Sequence, residues 1–160
     1  MSDIDTSRLL WIVTGVQLRA ELGDRPIAYR IEQECRRLLK ELLPPPDHAD
    51  PVPLLSPAVI SDVYYLNNDE IQNQPLISIG GPGVNAVSNS LLNDVPTAVA
   101  IEDSLLIQMD VEMHDLRCCV WGMDHLQTLQ AVDTFLAKGY LDTFLKGVVR
   151  WLQSDTDADD

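Results

Sequence analysis

Cationic residues are missing from the middle of this chain. No Lys or Arg occurs between Lys40 and Arg117. Nucleic acid needs a basic track, and an anionic membrane surface needs a basic patch. Both are excluded as partners on this reading. Long apolar runs are missing too, since none approaches the roughly 18 residues of a membrane span. Cysteine is scarce and odd in number: Cys35, Cys118 and Cys119. Adjacent strand residues point to opposite faces, so Cys118 and Cys119 should not pair. Three such thiols make a poor disulfide framework. The acidic start, Met1-Ser2-Asp3-Ile4-Asp5, lacks the basic beginning of a signal peptide. A reducing cytoplasm is the expected location.

Catalytic signatures are absent as well. No Ser lies in a G-x-S-x-G elbow. A P-loop would need a Lys and a hydroxyl after its glycines, and neither is present. Gly81-Pro82-Gly83 only begins a dinucleotide fingerprint. Cys118 and Cys119 each sit inside an apolar strand pattern, where burial raises a thiol pKa and makes it inert. No cofactor is expected, and no catalytic residue is assigned.

What is present is an ordinary globular composition. The chain has 160 residues, 46% of them hydrophobic, which suits one core. The net charge is -14. Part of it lies in Asp155, Asp157, Asp159 and Asp160, read as an acidic disordered tail over 154–160 after a single domain over 1–153.

The apolar pattern then sets the elements. Leu9–Thr14 is a compact run with β-branched members and reads as a central strand ended by Gly15. Asp24 is placed to cap a helix whose first turn holds Pro26, with Ile27, Ile31, Cys35, Leu38 and Leu42 at helical spacing. Pro44-Pro45-Pro46 stops it, and 47–56 reads as a loop. Val59–Leu66 is expected to be a strand, Asp69–Gln72 a helical turn, and Leu76–Ile79 a buried strand. Val84, Val87 and Leu91 suggest a short helix. Thr97–Ile101, Ser104–Met113 and Leu116–Trp121 form a β-rich block whose short gaps imply antiparallel hairpins. Asp124 and Gln127 match a capping-box arrangement before a helix that Gly139 should break or kink. The expected fold is a single three-layer Rossmann-like α/β domain, with a mainly parallel sheet and an antiparallel extension.

Gly80-Gly81-Pro82-x-x-Asn85 and Trp121-Gly122-Met123-Asp124-x-x-x-Thr128-x-x-Ala131 resemble a pattern in some prokaryotic Rossmann-like domains. In those, one strand ends in Gly-Gly-Pro-x-x-Asn and a later one in Gly-x-Asp before a Thr-bearing helix. Some surface-layer protein domains show it. The resemblance implies a fold with two adjacent loops, and no activity.

Loops after parallel strands share one edge of the sheet, where open α/β sheets bind ligands. The candidate ligand-binding residues are therefore Gly15, Gln17, Arg19, Gly80, Gly81, Gly83, Asn85 and Asp124. Gly81 or Gly83 is expected to need positive φ, leaving backbone N–H groups open to a ligand. Arg19 or Arg25 would supply the missing cation. Glu21, Asp62, Asn67 and Thr128 could join the site. The alternative for all of them is turn and capping chemistry. Asp110, Glu112 and His114 would lie on one strand face and could ligate a metal, as could an ordinary solvated hairpin face. His48 and His125 have no evident ligand cluster. Tyr140, Phe144 and Trp151 add apolar surface that predicts self-association, most simply as a dimer.

Two functions fit these features. One is a non-enzymatic α/β module that binds a small polar or nucleotide-like ligand or a protein partner. The other is a nucleotide-processing enzyme, an N-glycosidic hydrolase or transferase, with a carboxylate aimed at the anomeric carbon.

Overall fold

Two sets of alternating side chains on the first strand set the layers. Leu10 and Ile12 point into one buried cluster, while Trp11 and Val13 point into another. This is the period of two that a strand buried on both faces requires. The computed structural model describes residues 6–43 and 55–158. In chain order the elements are β1 (Leu9–Thr14), α1 (Arg25–Leu42), β2 (Ser56–Ser61), α2 (Asp62–Leu66), β3 (Leu76–Ile79), α3 (Ala86–Leu91), β4 (Thr97–Ile101), β5 (Leu105–Met109), β6 (Arg117–Gly122), α4 (His125–Ala137) and α5 (Tyr140–Ala158).

The strands form one sheet in the order β2-β1-β3-β6-β5-β4. β2, β1, β3 and β6 are parallel, and β5 and β4 extend the sheet antiparallel. α1, α4 and α5 cover one face through Ile31, Phe135 and Phe144. α2 and α3 cover the other through Tyr65, Val87 and Leu91. This is the expected three-layer Rossmann-like α/β arrangement. Among the described residues, no helix is long and apolar enough to cross a membrane.

β1 and β3 are parallel neighbours, with Ile12 opposite Ile77. Both side chains are fully buried. Ile77→Ala should therefore cost about 2–5 kcal/mol, the range for emptying such a site. Urea unfolding measures it, and a loss below about 1 kcal/mol would contradict full burial of the position.

The structure corrects several boundaries. Val59–Leu66 is not one strand, because Ser61 caps a helix there by accepting from Tyr64 N at 3.1 Å. Val63, Tyr64 and Leu66 are exposed while Tyr65 is buried, the pattern of a helix with one face on the sheet and not of a strand. Asp24 is not a cap. A π-helical turn, Ala20–Asp24, runs directly into α1, and Asp24 has helical φ and ψ. α5 continues to Ala158, into the segment read as an acidic tail. Residues 159–160 and most of the loop expected at 47–56, with His48, lie outside the described residues. Gly139 does break the helical run, with φ of +75° between α4 and α5. The apolar residues behind the expected dimer are used within the chain. Phe144 is fully buried, and Tyr140 and Trp151 pack against the same core.

Candidate functional site

β1 leads to α1 on one face, and β3 leads to α3 on the other. Adjacent parallel strands whose connections leave on opposite faces open a crevice beyond their carboxyl ends. The loops after β1 and β3 meet there, as the sequence implied. They do not leave a cleft between them. The Val84 carbonyl lies directly against Gly15, in the space a Cβ would occupy.

Asn85 explains why the loop sits so deep. It is only 1% exposed. Its Nδ2 donates to Val13 O at 3.2 Å, Ser78 Oγ at 3.0 Å and Ile79 O at 2.9 Å. Its Oδ1 accepts from Val87 N and Ser88 N, capping α3. One amide thus ties β1, β3 and α3 together, and its donors and its acceptor are committed within the chain. The Ser88 hydroxyl extends this network by donating to Gly80 O at 2.6 Å.

The positive φ expected at Gly81 or Gly83 occurs at neither. It occurs at Gly80, with φ of +103°. The chain must turn immediately after β3, one residue earlier than the glycine pattern suggested. A Cβ at Gly80 would lie 2.5 Å from Asp24 Oδ2. At Gly81 a Cβ would press on the Trp121 ring at 3.2 Å, and at Gly83 it would meet open space. Gly80→Ala should thus cost about 2 kcal/mol or more, from backbone strain and the displaced carboxylate together. Gly83→Ala should change stability by less than about 0.5 kcal/mol. Equal thermal midpoints for the two variants would contradict this geometry.

The remaining candidates spread around the rim. Gln17 and Arg19 are exposed, and Gln17 O accepts from Glu21 N at 2.9 Å as the helix begins. Arg19 forms no ion pair among the described residues, whereas Arg25 lies 3.6 Å from Glu21. Asp124 caps α4, accepting from Gln127 N at 2.8 Å. The Thr128 hydroxyl accepts from Gly122 N at 3.0 Å. Gly122 is needed because the backbone of Gln127 and Thr128 crosses where its Cβ would be. Asp62 lies under the crevice, where its carboxylate accepts from Ala86 N at 2.9 Å. Asn67 ends α2 and is exposed.

Asp24 is the site residue that the sequence did not reveal. It is 7% exposed and wedged between Gly80 and α4. Among the described residues its carboxylate accepts no hydrogen bond. Burial pushes its pKa up to about 6, against a smaller opposing pull from His125. The Thr14 hydroxyl, buried at the end of β1, also lacks a partner among the described residues. Nothing in the spacing distinguished Asp24 from a helix cap. Only the early start of the helix turns it inward.

The metal candidate loses its geometry. β5 ends at Met109, so Asp110, Glu112 and His114 lie in a turn and not on a strand face. Asp110 accepts there from the backbone N–H groups of Glu112, His114 and Asp115. Met113 adopts φ of +59° to close that turn. Cys118 and Cys119 do face opposite clusters, and burial pushes the Cys119 thiol up to about 12.

Two concavities lie away from the crevice. One, of about 360 Å³, is at the amino edge between Gln72–Gln74, His114–Arg117 and Trp151. Its guanidinium is taken by Asp115 at 2.9 Å. The other, of about 220 Å³, adjoins the β4–β5 turn. The loops around the crevice also carry exposed apolar side chains among their polar ones. Leu18 and Leu22 are each 73% exposed, with Val16 exposed just before them, and Met123 and Leu126 are exposed after β6. The two groups come from elements in contact, because Gly23 packs against the His125 ring. No protein-family model matches the chain, and no curated protein matches it in sequence.

Proposed function

We propose that this protein is a non-enzymatic α/β module that binds a protein partner at the carboxyl edge of its sheet. One observation carries the reading. The crevice that this topology reserves for a small ligand is filled by Val84 and Asn85, while its rim presents Leu18, Leu22, Met123 and Leu126 to solvent. Clustered exposed apolar side chains mark interaction sites more often than isolated ones do. The backbone N–H groups that were expected to cradle an anion include those of Val84 and Asn85, which are bonded to Gly81 O.

A second reading has one observation behind it. Asp24, buried beside His125, is a carboxylate with raised proton affinity of the kind that acid-base chemistry on a nucleotide would use. The two readings separate in one pair of measurements. In the first, a nucleotide panel leaves the thermal midpoint unchanged, and Leu18→Asp with Leu22→Asp abolishes retention of partner proteins without loss of stability. In the second, a nucleotide at 100 times its dissociation constant stabilises the fold by about 2.7 kcal/mol, and Asp24→Asn removes that effect. Retention that survives the double Leu substitution sinks the first reading.

A further inference from the structure

The two edges of the sheet are built differently. β2 forms one edge and carries Pro57, which has no N–H to offer. Arg36 also reaches Pro57 O at 3.3 Å, so this edge is partly covered. β4 forms the other edge with the sequence Thr97-Ala98-Val99-Ala100-Ile101. It has no proline and no charge. Among the described residues it packs chiefly on β5. Native edges are usually blunted by charge, proline or a covering element, because an open row of backbone groups invites another strand. The register shift between Thr97 and Val99 disturbs only the start of β4. Val99, Ala100 and Ile101 remain in regular pairing with β5.

A seat for a side chain lies next to this edge. Ala100, Leu106 and Trp121 are opposite one another across β4, β5 and β6, so they line one face. With Ile101, Leu105 and Met123 they border the concavity of about 220 Å³. An apolar cavity of about 150 Å³ admits benzene, so this one has room for an apolar side chain. Ile101 is 53% exposed at its margin.

Charge decides between the possible occupants. The segment 94–110 contains Asp94, Glu102, Asp103 and Asp110 and no cation. Glu102 and Asp103 form the exposed turn at the end of β4 and make no ion pair among the described residues. Asp94, near its start, lies in the field of Arg117. A second copy would bring this acidic hairpin against itself. We propose that β4 is the docking edge for an extended segment of another protein, apolar at its centre and basic at the end that meets Glu102 and Asp103. Backbone pairing would supply affinity, and the concavity and the acidic turn would supply selection. This inference concerns a different surface from the rim at Leu18 and Leu22 and does not rest on that reading.

The test uses the full chain and two synthetic peptides, Lys-Lys-Val-Thr-Val-Thr-Val and the same peptide with Glu-Glu in place of Lys-Lys. Amide hydrogen exchange is followed on adding each. The basic peptide should slow exchange across 97–101 and bind at least about tenfold tighter than the acidic one at low salt. Ala100→Lys should weaken it about tenfold, since a charge on the edge opposes strand addition, and should leave the thermal midpoint unchanged. Leu18→Asp with Leu22→Asp should leave peptide binding intact. No slowing at 97–101, or equal binding of both peptides, overturns the proposal. A dimer in sedimentation that Ala100→Lys dissociates also overturns it, by making a second copy the occupant.

Discussion

Asn85→Asp should destabilise the protein by about 3–5 kcal/mol at neutral pH, although it differs from the native residue by a single group. The carboxylate could still cap α3, because Asn85 Oδ1 already accepts from Val87 N and Ser88 N. What it cannot do is donate. Val13 O, Ile79 O and Ser78 Oγ would then face an oxygen where they now face Nδ2. Two backbone carbonyls would lose their donor in a site that is 1% exposed. A buried charge among acceptors adds its own desolvation cost. Asn85→Ala removes cap and donors but adds no charge, so the two losses should be similar. The pH dependence separates them. The charged form is disfavoured in the folded state, so the pKa of an aspartate here is raised above its unfolded value. Acidification should therefore recover part of the stability of Asn85→Asp and none of that of Asn85→Ala. Urea unfolding at neutral pH and near pH 5 measures both. An Asn85→Asp loss under about 1 kcal/mol would show that the hydrogen bonds Nδ2 donates do not hold the loop.

Asp24→Asn should have the opposite sign at neutral pH. Burial raises the Asp24 pKa from its ordinary 3.8 to about 6. A carboxyl with raised folded pKa binds a proton more tightly in the folded state than in the unfolded one. Its contribution is therefore favourable at low pH, and is lost as pH rises from 3.8 through about 6. Above that window the carboxylate is buried and charged, at a cost of up to about 3 kcal/mol, since each pKa unit corresponds to about 1.36 kcal/mol. Asparagine has no charge to desolvate and nearly the same shape. The variant should gain on the wild type as pH rises from about 4 to 7, by up to that amount, and the gain should level off above. Thermal or denaturant midpoints across this range test it. A difference between the two proteins that does not change with pH would mean that Asp24 titrates normally. The same variant is the decisive one for the nucleotide reading, because it removes the acid-base group and keeps its shape.

The sequence by itself determined the layers and the order of chemistry along the chain. Leu9–Thr14 and Leu76–Ile79 were legible as buried parallel strands because a strand covered on both faces must be apolar throughout, and nothing else so short is. Asp124 and Gln127 marked the start of α4, since a cap acts through neighbours in sequence. The adjacent loops at Gly80–Asn85 and Gly122–Asp124 followed from strand direction alone. What failed depended on distance in space. Val63, Tyr64 and Leu66 are apolar and exposed, and only the capping of α2 by Ser61 reveals that their run is helical. Asp110 could not be separated from a metal ligand until the backbone N–H groups around it were in place. Positive φ fell on Gly80 and not on its neighbours because the chain turns directly after β3, and Asp24, distant in the chain, leaves no room there for a side chain. Whether the crevice is open or closed was beyond any reading of composition. It turns on where the Val84 carbonyl and the Asn85 amide come to rest, against Gly15 just after β1 and Val13 on β1, more than 60 residues away. Spacing and periodicity report a residue's local conformation. The occupancy of a crevice is set by which atoms of other elements reach it, and only the packed tertiary structure specifies that.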